Sequence, residues 1–229
     1  MGHLLFGVRR QSNDPIKRHF PCQLSSSAPL RILFSIVTGF GSGLSAALAE
    51  ALRRRTPTSL DEDGAAHAAV AVVVTAEADP ALLFVRRRER AGDPWSGHMA
   101  FPGGHAEPGE TPAATAERET LEETGLALGR DGRRLGQLDD VYPRSIHLPK
   151  IIVTPVVFQV ARRLEVRPSP EIEQALWLPA REVFDRANRR PLVLESATGR
   201  REFESIHVGG LVIWGLTERI LQQIITLYQ

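Results

Sequence analysis

The chain has 229 residues, 42% of them hydrophobic and 24% charged, with a formal net charge of +1. That is the composition of an ordinary globular protein, with room for one catalytic domain and an appendage. The near-zero net charge excludes an electrostatic nucleic-acid footprint and an acidic tail. Cys22 is the only cysteine, which rules out an intramolecular disulfide or a multi-cysteine metal site and fits a reducing compartment.

In chain order, residues 1–56 read as an N-terminal extension. Its first thirty residues carry one acid, Asp14, against Arg9, Arg10, Lys17 and Arg18. Poor order over part of this stretch is the expectation, with a transit peptide or a piece of secretion signal as alternatives. A cytoplasmic location is the simplest reading, and organelle targeting through the extension is its alternative. Residues 32–49 are free of charge, a length at the lower limit of a membrane helix (about 17–25 residues). Gly39, Gly41 and Gly43 dilute the run, so a docking helix or strand is expected in place of a span, with residues 44–55 reading as the start of an ordinary helix. Residues 57–66, with Pro57, Asp61, Asp63 and Gly64, read as a linker.

From residue 67 the pattern becomes that of one α/β domain running to 229. Residues 68–74 are a continuous apolar run, as in a strand buried on both faces. Further strands are expected at 81–87, 98–101, 136–141, 150–161, 175–178 and 203–207, and helices at 179–188 and 216–227.

The chemistry concentrates in residues 104–126, GHAEPGETPAATAERETLEETGL. Thr111 is suited to cap a helix, Pro112 to its first position and Gly125 to its end. At 100° per residue Glu119, Glu122 and Glu123 share an arc of about 100°. Taken alone, such a cluster reads as a solvated acidic face. Here it follows an expected strand and Gly103–Gly104, and a helix N-terminus helps to bind phosphate. Three crowded carboxylates suit a hard divalent cation, Mg2+ or Mn2+.

These residues resemble the Nudix signature G-x5-E-x7-R-E-U-x-E-E-x-G-U, where U is a bulky apolar residue. Gly104, Glu110, Arg118, Glu119, Glu122, Glu123, Gly125 and Leu126 stand at its spacings, and Thr120 replaces the first U. The resemblance implies a Nudix-type α/β/α sandwich with a mixed sheet. It also implies metal-dependent hydrolysis of a diphosphate linkage, in which metal ions activate water and stabilise the leaving group. It assigns the metal to Glu119, Glu122, Glu123 and the Gly103 carbonyl, with one of the glutamates also acting on the attacking water. Glu110 and Arg118 would brace the loop as an ion pair. A further base from outside the helix is common in the family, and Glu171 and Glu173 are the options.

Two flanking stretches narrow the substrate. LLFVRRRERAGDPWSGHMAFPGG resembles the segment before the box in coenzyme A diphosphatases, LLTxR[SA]x3Rx3Gx3FPGG. It departs from that pattern at Phe84, at Arg87 where the pattern has a small residue, and by two extra residues between Arg86 and Gly97. Downstream, Trp214, Gly215, Thr217 and Ile220 resemble the closing segment of the same subgroup. This points to coenzyme A or acyl-CoA, cleaved to 3′,5′-ADP and (acyl-)4′-phosphopantetheine. Arg86, Arg87, Arg88 and Arg90 are the phosphate-binding options. ADP-ribose, NADH and dinucleoside polyphosphates are the other substrates to weigh, and a non-catalytic nucleotide-sensing module is the reading from another class. The expected partner is a small nucleotide. Neither nucleic acid nor a membrane is expected, and a homodimer is left open.

Overall fold

The computed structural model describes residues 43–89, 97–143, 149–196 and 199–228. The basic first stretch and most of the charge-free run lie outside these residues. Among the described residues no helix is long and apolar enough to cross a membrane.

The β-branched run forms β1 (Ala66–Thr75), whose residues from Ala71 to Thr75 are wholly buried. It pairs in parallel with β6 (Ile151–Val160), from Ala66↔Ile151 to Thr75↔Val160. β5 (Gly132–Gln137) lies antiparallel on the far edge of β6. β2 (Ala81–Arg87) meets β1 at Val74↔Leu82 and then diverges from it. Two short strands fill the gap. β3 (Met99–Ala100) pairs with β2, and β4 (Gly103–His105) pairs with β1. β7 (Ile172–Pro179) runs antiparallel along the other edge of β2. The expected mixed sheet therefore forms, with the diglycine inside it as a strand.

Helices cover both faces. α1 (Leu44–Arg53) and α5 (Gly215–Tyr228) pack Leu44, Leu48, Leu52, Leu221 and Ile224 against Val72, Val74, Leu82 and Phe84. On the opposite face α2 (Pro112–Thr124) seats Ala116 over Ala69, Ala71, Val73 and Leu83, next to α3 (Leu128–Asp131). Apolar burial on both faces is what holds such a three-layer arrangement together.

α1 sits tightly on the sheet. A Cβ at Gly136 would lie 2.8 Å from the Leu52 Cβ, so the helix crosses β5 where the strand has no side chain. The stretch after α1 lacks regular structure but is tied down. Thr58 N–H donates to Asp139 Oδ1 (2.6 Å) and Leu60 N–H to Asp140 Oδ2 (2.9 Å), while Arg55 pairs with Asp139. Gln223 of α5 then brackets the Asp139 backbone, accepting from its N–H (2.9 Å) and donating to its carbonyl (3.0 Å).

Elsewhere local pattern and structure part. The helix expected over 179–188 is broken into α4 (Ala180–Val183) and a 3-10 turn (Arg186–Asn188), because the Asp185 carboxylate accepts from Ala187 N–H and starts a new turn. The strand expected over 136–141 lies earlier, as β5, and its later part contributes an isolated Val141↔Val153 bridge. The strand expected over 203–207 is replaced by two hairpins. These are β8 (Leu192–Ser196) with β9 (Gly199–Phe203), and β10 (Ser205–Val208) with β11 (Leu211–Trp214).

Leu48 is 1% exposed within the core shared by α1, α5 and the sheet. Leu48→Ala is expected to cost about 2–5 kcal/mol of unfolding free energy, read from urea denaturation. A change under about 1 kcal/mol would mean that α1 does not dock as described.

Candidate active site

The capping residues of α2 behave as their types dictate. Thr111 Oγ1 accepts from Ala114 N–H (3.2 Å), Pro112 opens the helix, and Gly125 closes it at φ +73°. Thr120, at the position of the first apolar residue, is nonetheless fully buried, since its hydroxyl donates to Ala116 O (2.6 Å). Its polar atom is satisfied inside the helix, so the seat on the sheet is kept.

Gly103 and Gly104 let this helix approach the sheet. A Cβ at Gly103 would fall 2.3 Å from Ala69 O and 2.6 Å from Val70 Cα. At Gly104 it would fall 2.5 Å from the Glu119 carboxylate carbon. The close approach at Gly103 is thus to the backbone of β1. Gly103 N–H turns away from β1 and donates to Glu123 Oε2 (3.0 Å). Because the two backbone groups of a residue in an antiparallel strand point to the same edge, the Gly103 carbonyl faces that side too.

Arg118 knits the helix to its loop. Its Nε donates to Glu110 Oε1 (2.8 Å), and Nη2 to Glu110 Oε2 (3.0 Å) and His105 O (3.0 Å). Glu110 also accepts from Thr115 Oγ1 (2.8 Å) and Glu107 N–H (2.9 Å). The Arg118 hydrogen bond, followed by the Glu107 N–H, holds the Glu110 carboxyl down at about 2. Arg118 itself is pushed above its ordinary value, chiefly by Glu110. Glu110 and Arg118 thus form an ion pair, with Thr115 and the His105 carbonyl as further partners that spacing alone did not reveal.

The three glutamates sit at three depths. Glu122 is mostly exposed, Glu119 largely buried, and Glu123 only 8% exposed. Burial pushes the Glu123 carboxyl up to about 7; Gly103 N–H and the Arg87 charge pull it down, while Glu119 and Glu171 push it up. Arg118 Nη1 donates to Glu119 Oε1 (2.8 Å) and approaches Glu122 Oε2 (3.4 Å). Among the described residues, no three acidic or imidazole side chains are spaced to close on a metal ion as they stand. The guanidinium of Arg118 supplies the positive charge there. The donor chemistry still fits a hard dication. It comprises three carboxylates, one of them buried at a cost that a cation would relieve, and a backbone carbonyl turned to the same side.

The arginines at the end of β2 and just beyond it separate. Arg86 Nε pairs with Glu173 Oε2 (3.3 Å), and Arg88 Nε donates to Pro170 O (2.9 Å). The charge of Arg87 acts on Glu123, and Arg90 lies outside the described residues. Of the two glutamates weighed as a further base, Glu171 acts electrostatically on Glu123 and Glu173 faces Arg86. The closing segment packs on β3. The Trp214 ring lies 4.6 Å from His98, Thr217 Oγ1 donates to Met99 O (3.2 Å), and Ile220 is buried. A shallow cavity between α2 and α3 is lined by Leu121, Leu128 and Arg118 but by neither Glu119 nor Glu123.

A carboxyl whose folded value lies above its unfolded one favours folding while protonated. That contribution is present below about 4.5 and is lost as pH rises through about 7. In chelator-treated protein, Glu123→Gln is therefore expected to be more stable than wild type at pH 8, by up to roughly 3 kcal/mol. Near pH 4.5 the two should match. Urea unfolding at the two pH values checks this, and equal stabilities at pH 8 would refute it.

The family model described as the NUDIX domain matches residues 65–197. An uncharacterized Nudix hydrolase of Photorhabdus laumondii, NudL, is 29% identical over 164 residues, covering 71% of this chain and 84% of that protein. An uncharacterized protein of Schizosaccharomyces pombe is 34% identical over 105 residues, which is 44% of this chain and 32% of that protein's length. The crystal structure of a MutT/nudix family protein from Enterococcus faecalis aligns over 88% of this chain and 74% of that one, with a TM-score of 0.49 and 15% identity. With the domain match extending over more than half of its length and the signature helix seated as described, the chain belongs to the Nudix hydrolase family.

Proposed function

We propose that this protein hydrolyses a diphosphate linkage in a nucleoside diphosphate derivative with the help of Mg2+ or Mn2+. The observation that carries this reading is the buried Glu123 carboxylate, held by Gly103 N–H beside Glu119 and Glu122 on one helix. A buried carboxylate raised to about 7 suits a site completed by a cation better than it suits a structural core. A non-catalytic sensing module is disfavoured by a signature that keeps all of its carboxylates.

Glu119, Glu122, Glu123 and the Gly103 carbonyl are the residues that would hold the metal. When bound, the ion supplies charge neutralisation at phosphate oxygens and a lower pKa for bound water. The protein supplies the rest. The Glu110 clamp holds Arg118 by two hydrogen bonds, so the guanidinium can release Glu119 and Glu122 without leaving the loop. Glu171, whose charge acts on Glu123, is the outside carboxylate we favour as a further base.

For the substrate, coenzyme A or an acyl derivative leads, with release of 3′,5′-ADP and (acyl-)4′-phosphopantetheine. Support comes from the two stretches that resemble the coenzyme A diphosphatase subgroup. They are far apart in sequence yet touch through His98–Trp214 and Met99–Thr217.

Glu122→Gln and Glu123→Gln are each expected to lower turnover by about a hundredfold or more with the fold intact. Gly104→Ala should keep a near-native melting temperature, because the nearest atoms that the added methyl meets are the far end of the Glu119 side chain. It should nonetheless reduce turnover by displacing that carboxylate. Retention of full Mg2+-dependent activity by either glutamine variant would refute the assignment. Incubation with coenzyme A, ADP-ribose, NADH and diadenosine polyphosphates, followed by product identification, tests the substrate. 3′,5′-ADP from coenzyme A is the expected result, and rapid cleavage of ADP-ribose with coenzyme A untouched overturns it.

A further inference from the structure

The β8–β9 hairpin stands apart from the layered core. Its strands pair from Leu192↔Phe203 to Ser196↔Gly199, and among the described residues no third strand joins them. Leu192 and Leu194 are half-buried and Val193 is 38% exposed, yet none of the three belongs to either apolar cluster of the core. Phe203 gives the ribbon a foothold, with its ring 5.2 Å from that of Trp214. A two-stranded ribbon is marginal in water, and a third strand or a covering layer is what makes it stable.

The two outer edges of the ribbon differ. β9 carries Arg200, Arg201 and Glu202 in succession, the kind of charged dressing that keeps an edge from pairing. β8 carries Leu192, Val193 and Leu194 instead. Val193 is one of three large apolar side chains left exposed among the described residues.

A second copy of this chain fits the β8 edge through its own residue pattern. A two-fold axis through the edge presents the same face of both copies, so residues opposed across it share a face. With the axis at Val193, the two Val193 side chains meet, and Leu192 of each copy meets Leu194 of the other. Pro191 then stands opposite Glu195, and no like charges are opposed. An axis at Leu194 would set Val193 against Glu195, and one at Leu192 would set Leu194 against Arg190. The β9 edge offers no comparable register. An axis at Arg200, Arg201 or Glu202 opposes two like charges, which destabilises a sheet.

We infer that β8 is a self-association surface, on which two copies pair antiparallel about Val193 to make one four-stranded sheet across both molecules. The added strands supply what the lone hairpin lacks. The edge is only five residues long, short of the roughly 1,200–2,000 Å² buried in a stable interface, so the association is weak and concentration-dependent. This surface is independent of the catalytic reading.

Sedimentation equilibrium of the full chain, from low to high micromolar concentration, is expected to show monomer giving way to dimer. Val193→Lys sets two cations opposite each other and should weaken the dimer by about tenfold or more. Because Val193 is exposed, that variant should keep the wild-type melting temperature. Val193→Thr, which stays β-branched, and Arg200→Gln, on the other edge, should both associate like wild type. In a Cys22→Ser background, Val193→Cys should form a disulfide-linked dimer on mild oxidation, since the axis brings the two positions together. Glu195→Cys should not, because its opposite number is Pro191. A chain that stays monomeric throughout overturns the inference. So does a dimer indifferent to Val193→Lys, equal cross-linking by the two cysteine variants, or assembly that grows beyond the dimer.

Discussion

Three carboxylates on one face of a short helix repel one another, and that helix is pressed against the backbone of a central strand. Much of the architecture follows from keeping this arrangement in place. Arg118 neutralises part of the charge, and Glu110, Thr115 and the His105 carbonyl hold Arg118. Gly103 N–H takes one oxygen of Glu123. Hydrogen bonding and charge pairing of this kind are what make a buried carboxylate tolerable. Glu123 remains poised between its charged and neutral forms, a strain that functional sites commonly retain at the expense of stability.

The sheet provides the place for the helix by dividing. β1 and β2 begin as neighbours at Val74↔Leu82 and separate, and the segment carrying β3 and β4 fills the opening. One side of that segment presents the diglycine to α2. Its other contacts are with the C-terminal part of the chain, through Met99–Thr217 and His98–Trp214. Elements remote in sequence thus converge on a few residues beside the glutamates. α1 and the strap that follows it complete the opposite face, tied to Asp139 and Asp140 and through Gln223 to α5.

The same division separates residues that look interchangeable in the sequence. Arg86, Arg87 and Arg88 have one composition and three environments, because a one-residue slip in β7 decides which of them meets Glu173. Glu171 and Glu173 are sorted by the same slip. One acts electrostatically on Glu123, and the other is taken by Arg86.

What the sequence determined by itself was local. The bounds of α2 follow from Thr111, Pro112 and Gly125, since caps and proline act within one turn. The shared face of Glu119, Glu122 and Glu123 follows from helical period, and the strands at Ala66–Thr75, Ala81–Arg87 and Ile151–Val160 follow from unbroken apolar runs. Tertiary structure decided what depends on pairing between distant segments. Gly103–His105 is a strand only because β1 offers it an edge, and α1 belongs to the core only because β5 leaves room at Gly136. Burial is the main cause that raises the Glu123 carboxyl, and the register of β7 decides which arginine meets Glu173. Register and depth come from contacts across the fold, and residue spacing along the chain carries no record of them.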